Sequence, residues 1–87
     1  MNSLKPIFYT AHAATGIRER EIERRWVERT AREPEWSTSD PGHVEVERRF
    51  RLIPERDDRI LRVAVVETPE EIRIITAFLD RRARKPI

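Results

Sequence analysis

The pattern of apolar and polar positions changes its period along this chain of 87 residues. Residues 11–33 have the spacing of an amphipathic helix, with five side chains on roughly one face: Ile17, Ile22, Trp26, Val27 and Thr30. Thr10 is placed to cap this segment, and Pro34 ends it. Gly16 and the polar residues 18–21 leave two descriptions open, one continuous helix or two short helices that meet near Glu21–Ile22.

Strand patterns lie on both sides of the helical segment. Pro6–Thr10 is a short aromatic and β-branched run that predicts an edge strand. From His43 the period becomes two, with apolar Val44, Val46, Phe50 and Leu52 alternating with charged Glu45, Glu47, Arg49 and Arg51. Arg48 departs from the alternation and marks either a bulge or a cation on the inner face of the sheet. Residues 34–42 are rich in turn formers and predict a loop, from which Trp36 folds back onto the core.

Ile60–Glu67 and Ile72–Asp80 are apolar at both odd and even positions, as central strands covered on two sides are. The predicted order is therefore β-α-α-β-β-β, an α+β fold with two N-terminal helices packed on a small antiparallel sheet. The length predicts a single domain over residues 1–87. Because two helices cover only one face of a sheet, a partner or a second copy of the chain is expected on part of the other.

Composition changes this picture mainly through arginine. Charged residues make up 39% of the chain, yet the formal net charge is only +2, and Lys5 and Lys85 are the only lysines among 18 basic residues. The planar guanidinium suits phosphate and carboxylate, although genomic base composition also favours arginine. The absence of cysteine excludes disulfides and a thiol nucleophile. No apolar run approaches a signal peptide or the roughly 20 residues of a membrane span, so a cytoplasmic location is expected.

The basic residues of the second half fall on three consecutive segments. Two strands carry Arg48, Arg49, Arg51, Arg59 and Arg62, and the last strand is followed by Arg81, Arg82 and Arg84. If these strands are neighbours, several guanidinium groups converge and form a site for phosphate groups. The alternative is a solvated face on which the arginines pair with Glu45, Glu47, Glu55 and Glu67.

Few other residues have catalytic chemistry. His12 and His43 are the only histidines, and His12 is the candidate acid or base, with a surface or helix-capping role as the alternative. No pair of residues has the spacing of metal ligands, and two glycines cannot form a phosphate-binding loop. No metal and no cofactor are therefore expected.

Several short motifs resemble a small bacterial family built on a domain of unknown function. They are His12-Ala13 with Ile17, Glu19-Arg20 and Ile22; residues 26–30 with Pro34-Glu35-Trp36; residues 59–63; and residues 74–82. That family is in turn similar to the RelE/ParE and BrnT toxins, which have a small antiparallel sheet with N-terminal helices. The chain departs from the family pattern at Gly16, where arginine is usual, and at Glu21, where glycine is usual.

The resemblance implies a toxin-like, RNA-binding protein that acts on RNA alone or at the ribosome and is controlled by an antitoxin. A metal-independent endoribonuclease of this kind uses the 2′-hydroxyl as nucleophile and leaves a 2′,3′-cyclic phosphate. The candidate catalytic residues are then His12, Arg62 and Arg81. The candidate RNA-binding residues are Arg20, Arg48, Arg49, Arg59, Thr76, Arg82 and Arg84. The alternative is a non-catalytic module of the same fold that docks onto an acidic partner or a second copy.

Overall fold

A computed structural model of the chain describes residues 4–86. It contains two helices, α1 (Ala11–Glu19) and α2 (Arg24–Arg32). The five strands are β1 (Ile7–Tyr9), β2 (Trp36–Ser39), β3 (Glu47–Ile53), β4 (Arg59–Glu67) and β5 (Ile72–Leu79). The predicted α+β class is confirmed, and the element order matches the prediction except for one additional strand, β2. Within the described residues, neither helix is long and apolar enough to cross a membrane.

The strands form one sheet in the order β1-β5-β4-β3-β2. All neighbours are antiparallel except β1, which runs parallel to β5. The sheet is therefore mixed, and the predicted antiparallel sheet is confirmed for every pair except β1 and β5. After β1 the two helices carry the chain over one face to the far edge, and the last strand, β5, then returns beside β1 in the same direction.

The helical segment is divided into two helices, the second of the two descriptions left open by the sequence. Glu21 has φ 56°, in the left-handed region, and the backbone N–H groups of Glu21 and Ile22 donate to the carbonyls of Arg18 and Ile17. This pair of hydrogen bonds is a Schellman motif, in which glycine is the usual residue at the left-handed position. Ile17 and Ile22 are both buried beside it and complete the hydrophobic contact of the motif.

The alternation of side chains defines two faces of the sheet. The helix face carries Leu61, Val63 and Val65 of β4, which pack with both helices in the main core. The open face carries the residues between them, including Arg62 and Ala64. A register shift between Ala64 and Val65 adds one residue to β5 and keeps Ile74 and Ala77 both on the helix face.

The segment 34–42 is not all loop, because Trp36–Ser39 forms the edge strand β2 beside β3. Trp36 does not fold onto the main core as predicted. It pairs with Phe50 on the open face, where the two rings stack with centroids 4.9 Å apart. Residues that favour turns in isolation therefore extend here, since a neighbouring strand supplies hydrogen bonds and an aromatic contact.

Strand β3 begins at Glu47 rather than His43, and Val44 is 95% exposed. The apolar residues Phe50 and Leu52 lie on the open face, opposite Arg62 and Ile60 of β4. The alternating arginines Arg49 and Arg51 lie on the helix face beside Val63 and Leu61. The period of two was therefore read correctly, but the charged side of β3 is the one that meets the helices.

Candidate functional site

The structure separates the arginines into two groups according to whether a carboxylate contacts them. Among residues 4–86, six arginines form ion pairs with Asp or Glu. They are Arg25, Arg29, Arg48, Arg49, Arg62 and Arg73. A carboxylate already satisfies the charge of these side chains, so they are poor candidates for binding an external anion.

Arg49 is the most enclosed of the ion-paired arginines, with a side chain only 12% exposed. Its guanidinium contacts both Glu47 and Glu67 at 2.6 Å and donates to the Ala31 carbonyl near the end of α2. Hydrogen bonds from Lys5 and Arg49 hold the pKa of Glu67 below its usual value. The predicted RNA-binding residue Arg49 therefore joins β3, β4 and α2 inside the fold.

Arg51, the other arginine on the helix face of β3, donates to the Glu33 carbonyl just after α2. The last turn of a helix leaves carbonyls without partners, and cations there also interact favourably with the helix dipole. Arg49 and Arg51 thus donate hydrogen bonds to carbonyl groups at the C-terminal end of α2. This accounts for two charged side chains on the face of the sheet that packs on the helices.

A second group of arginines gathers where α1 ends, β3 turns into β4, and β5 ends. Arg20, Arg56 and Arg59 line one cleft there, together with Ile22, Phe78 and Leu79. Its volume is about 500 Å³. No carboxylate lines this cleft, and among residues 4–86 none of its arginines has a carboxylate oxygen within 4.0 Å. We call this the arginine cleft.

Local turns hold the three arginines of the arginine cleft in place. Arg20 directly follows α1 at the Schellman motif, and Arg56 and Arg59 flank the left-handed residues Asp57 and Asp58 of the β3–β4 turn. Arg56 also donates to the Glu21 carbonyl at 3.1 Å. The helix end and the strand turn are therefore tied together at this cleft.

Gly16 leaves room for the guanidinium of Arg20. A Cβ added at Gly16 would overlap with Nη1 of Arg20, because the guanidinium folds back over the helix at this point. Gly16 is buried in the middle of α1, where glycine costs about 0.5–1 kcal/mol relative to alanine. The space that the missing side chain leaves is used by a residue of the arginine cleft.

A smaller cleft of about 300 Å³ adjoins the first and shares Arg59 with it. It is also lined by Arg81 and Arg84, and it contains Asp58 and Asp80. Asp80 pairs with Arg62 at 3.3 Å and accepts a hydrogen bond from the Arg82 backbone N–H. We call this the mixed cleft, since its carboxylates offset part of its positive charge.

The predicted catalytic residues are not all brought together. His12 is exposed on the first turn of α1, which packs on the helix face, whereas Arg62 projects from the open face with its guanidinium 5.0 Å from the Phe78 ring centre. Asp80 connects Arg62 to the mixed cleft that Arg81 lines. The geometry thus groups Arg62 with Arg81 and leaves His12 apart.

The predicted RNA-binding residues are divided in a similar way. Arg20 and Arg59 line the arginine cleft, Arg59 and Arg84 line the mixed cleft, and Arg82 is exposed beside it. Arg48 pairs with Asp40 at 2.9 Å, and Thr76 lies opposite Ala64. These last two residues, like Arg49, lie in neither cleft.

Sequence reasoning missed Arg56 and the apolar side of the arginine cleft, formed by Ile22, Phe78 and Leu79. A usable signal was present, because Arg56 and Arg59 are three residues apart in the segment that leads into the predicted strand Ile60–Glu67, and residues at a turn between strands lie at one end of a sheet. No sequence signal placed Arg20 near Arg56 and Arg59, since that proximity depends on where α1 ends over the sheet. Among residues 4–86, no three His, Asp or Glu side chains are grouped as metal ligands.

The model of one protein family, the domain of unknown function DUF4258, matches residues 9–79. The chain belongs to this family. The match includes α1, α2 and β2 to β5, and with them all six residues of the arginine cleft. No curated protein and no solved structure matches the chain significantly.

Proposed function

We propose that the protein binds RNA, with the arginine cleft as the main contact for phosphate groups. The observation that carries this proposal is the gathering of Arg20, Arg56 and Arg59 around one cleft without a carboxylate. Guanidinium groups bind phosphate oxygens through two parallel N–H donors, and no internal acid competes for them here. Arg81 and Arg84 extend the positive surface into the mixed cleft.

The choice of RNA rests on the resemblance of sequence motifs to RelE/ParE-like and BrnT-like toxins. Helices on one face of a small sheet are compatible with that group, in which basic residues of the sheet and C-terminal end contact RNA. An antitoxin is then the expected protein partner. Growth arrest on expression, relieved by substitution of the cleft arginines, is the expected cellular result.

Metal-independent RNA cleavage is a second candidate function, and the position of Asp80 beside Arg81 in the mixed cleft favours it, with Arg62 holding the Asp80 carboxylate. Arginines stabilise charge that develops on phosphate, and a carboxylate is a possible base. His12 lines neither cleft, so the candidate cleavage site is the mixed cleft.

Replacement of Arg20 and Arg59 by alanine tests the binding proposal. We expect the double variant to bind a fluorescent RNA oligomer at least tenfold more weakly in an anisotropy titration. The slope of log K against log salt should fall by about 0.7 for each lost phosphate contact with single-stranded RNA. The matched control is Arg25→Ala with Arg73→Ala, which removes the same charge from arginines that already have carboxylate partners.

Equal loss of affinity in the cleft and control variants would contradict a localised site and indicate an effect of net charge alone. Failure of the wild-type protein to bind any RNA, together with capture of an acidic protein, would support the interaction-module alternative. Cleavage is tested separately by its product, because attack by the 2′-hydroxyl requires a 2′,3′-cyclic phosphate end. Equal cutting of DNA would exclude this mechanism.

A further inference from the structure

The arginine cleft has more positive charge than one backbone phosphate requires. Three guanidinium groups line it, and no carboxylate among its lining residues offsets them. A phosphodiester carries one negative charge, whereas a terminal phosphate monoester carries about 1.5 to 2 at neutral pH and offers three oxygens as acceptors. The monoester therefore matches the charge and the number of donors better.

The mixed cleft provides an internal comparison for this choice. It also contains three arginines, Arg59, Arg81 and Arg84, but Asp58 and Asp80 line it as well. A doubly charged phosphate placed there would meet two carboxylates. The arginine cleft is therefore the better of these two clefts for a dianion.

The rest of the arginine cleft is apolar. Ile22 is buried, and Phe78 and Leu79 form the end of β5. The ring of Phe78 lies 5.0 Å from the guanidinium of Arg62 on the open face, so the apolar side chains of this cleft are mainly Ile22 and Leu79. The volume of about 500 Å³ lies within the range of small-molecule sites, about 300 to 1,000 Å³.

We infer that the arginine cleft binds a nucleotide with a terminal phosphate monoester, as found at the phosphorylated end of an RNA strand or in a free nucleoside monophosphate. Arg20, Arg56 and Arg59 bind the phosphate. This inference rests on the proposed RNA binding and adds recognition of the end of the strand.

The test compares RNA oligomers of one sequence that differ only at their ends. We expect an oligomer with a 5′- or 3′-terminal phosphate to bind at least tenfold more tightly than the same oligomer with free hydroxyls at both ends. Adenosine monophosphate should displace it and adenosine should not. If the monophosphate fails to compete while a phosphorylated oligomer is still preferred, the ligand is the end of an RNA strand.

Substitutions identify the residues that cause the preference for a terminal phosphate. Arg56→Gln is expected to abolish the difference between phosphorylated and unphosphorylated oligomers, whereas Arg73→Gln, at the other end of β5, should leave it unchanged. Circular dichroism checks that both variants fold. Oligomers that bind equally well with and without terminal phosphates would overturn this inference and leave the proposed RNA binding intact. Absence of binding to all RNA would overturn both.

Discussion

Arginine has opposite roles in strand β3 and at the end of the sheet where the two clefts lie: it is ion-paired inside the fold in the first and without a carboxylate partner in the second. Arg49 on β3 is nearly enclosed, contacts two glutamates and donates to a carbonyl of α2. Arg59, four residues before Val63 in the neighbouring strand, lines two clefts and has no carboxylate partner among residues 4–86. The difference teaches that the number of arginines in a segment says little about function until their partners are known.

The strongest test of this difference is to replace each arginine by alanine and to measure the free energy of unfolding. Arg49→Ala leaves Glu47 without its guanidinium partner, leaves only Lys5 on Glu67, and frees the Ala31 carbonyl, so we expect a loss of about 2–3 kcal/mol in the free energy of unfolding. For a domain of this size the melting temperature should fall by roughly 10–20 °C. Thermal and urea unfolding measure both quantities.

Arg59→Ala is the matched control, since Arg59 occupies a strand of the same sheet without an ion pair. It should change stability by no more than about 0.5 kcal/mol and should weaken RNA binding. Arg49→Ala, measured at a temperature where it remains folded, should bind RNA as the wild type does. If Arg49→Ala weakened RNA binding and Arg59→Ala destabilised the fold, the ion-paired arginines would form the interface.

A smaller effect is expected from Gly16→Ala. Alanine in the interior of a helix should stabilise the protein by about 0.5–1 kcal/mol, while its Cβ displaces the guanidinium of Arg20. RNA affinity should therefore fall about two- to fivefold, a change of roughly 0.4–1 kcal/mol, although the protein melts at a higher temperature.

The Arg20→Ala background provides the control for this variant. If Gly16 acts through Arg20, Gly16→Ala should cause no further loss of affinity once Arg20 is absent. An equal loss in both backgrounds would mean that the added methyl group affects the cleft by another route.

The smallest expected effect concerns pH, and it again distinguishes the ion-paired region. A hydrogen bond from Arg29 lowers the pKa of Glu55 to about 2, and Lys5 and Arg49 lower the pKa of Glu67. Because both folded-state pKa values lie below the unfolded value near 4.5, the stabilising effect of both ion pairs is complete above that pH and is lost at more acidic pH. For Glu55 the loss extends to about pH 2. Urea unfolding of Arg29→Gln should show a weaker dependence on acid pH than the wild type. Identical pH profiles would contradict the role of Arg29.

The sequence predicted some elements well for identifiable reasons. β4 and β5 were placed within one residue because long apolar runs between turns have few alternatives. The boundary near Glu21 was recognised as one of two options, and the left-handed backbone of Glu21 decided it. β2 was missed because its polar residues extend only beside β3, a contact that local composition does not encode.

The candidate site was predicted only in part. Arg20 and Arg59 were chosen from sequence and do line one cleft, but Arg49 was chosen with them and lies in an ion-pair network. All three look alike in the chain, because each is an arginine within two residues of an acidic residue. The choice between an internal and an external partner depends on where each arginine lies relative to α2 and to acidic side chains of neighbouring strands, and that follows from packing.

By itself the sequence determined the α+β class, the helical segment, the two central strands and a surplus of arginine over lysine, because these follow from local periodicity and composition. The tertiary structure alone decided that β1 lies parallel to β5 and that Trp36 stacks on Phe50. It also placed the end of α1 beside the β3–β4 turn. Charges are paired or left unpaired by distances in space, and residues 36 apart, such as Arg20 and Arg56, become neighbours only when the helix end and the strand turn meet.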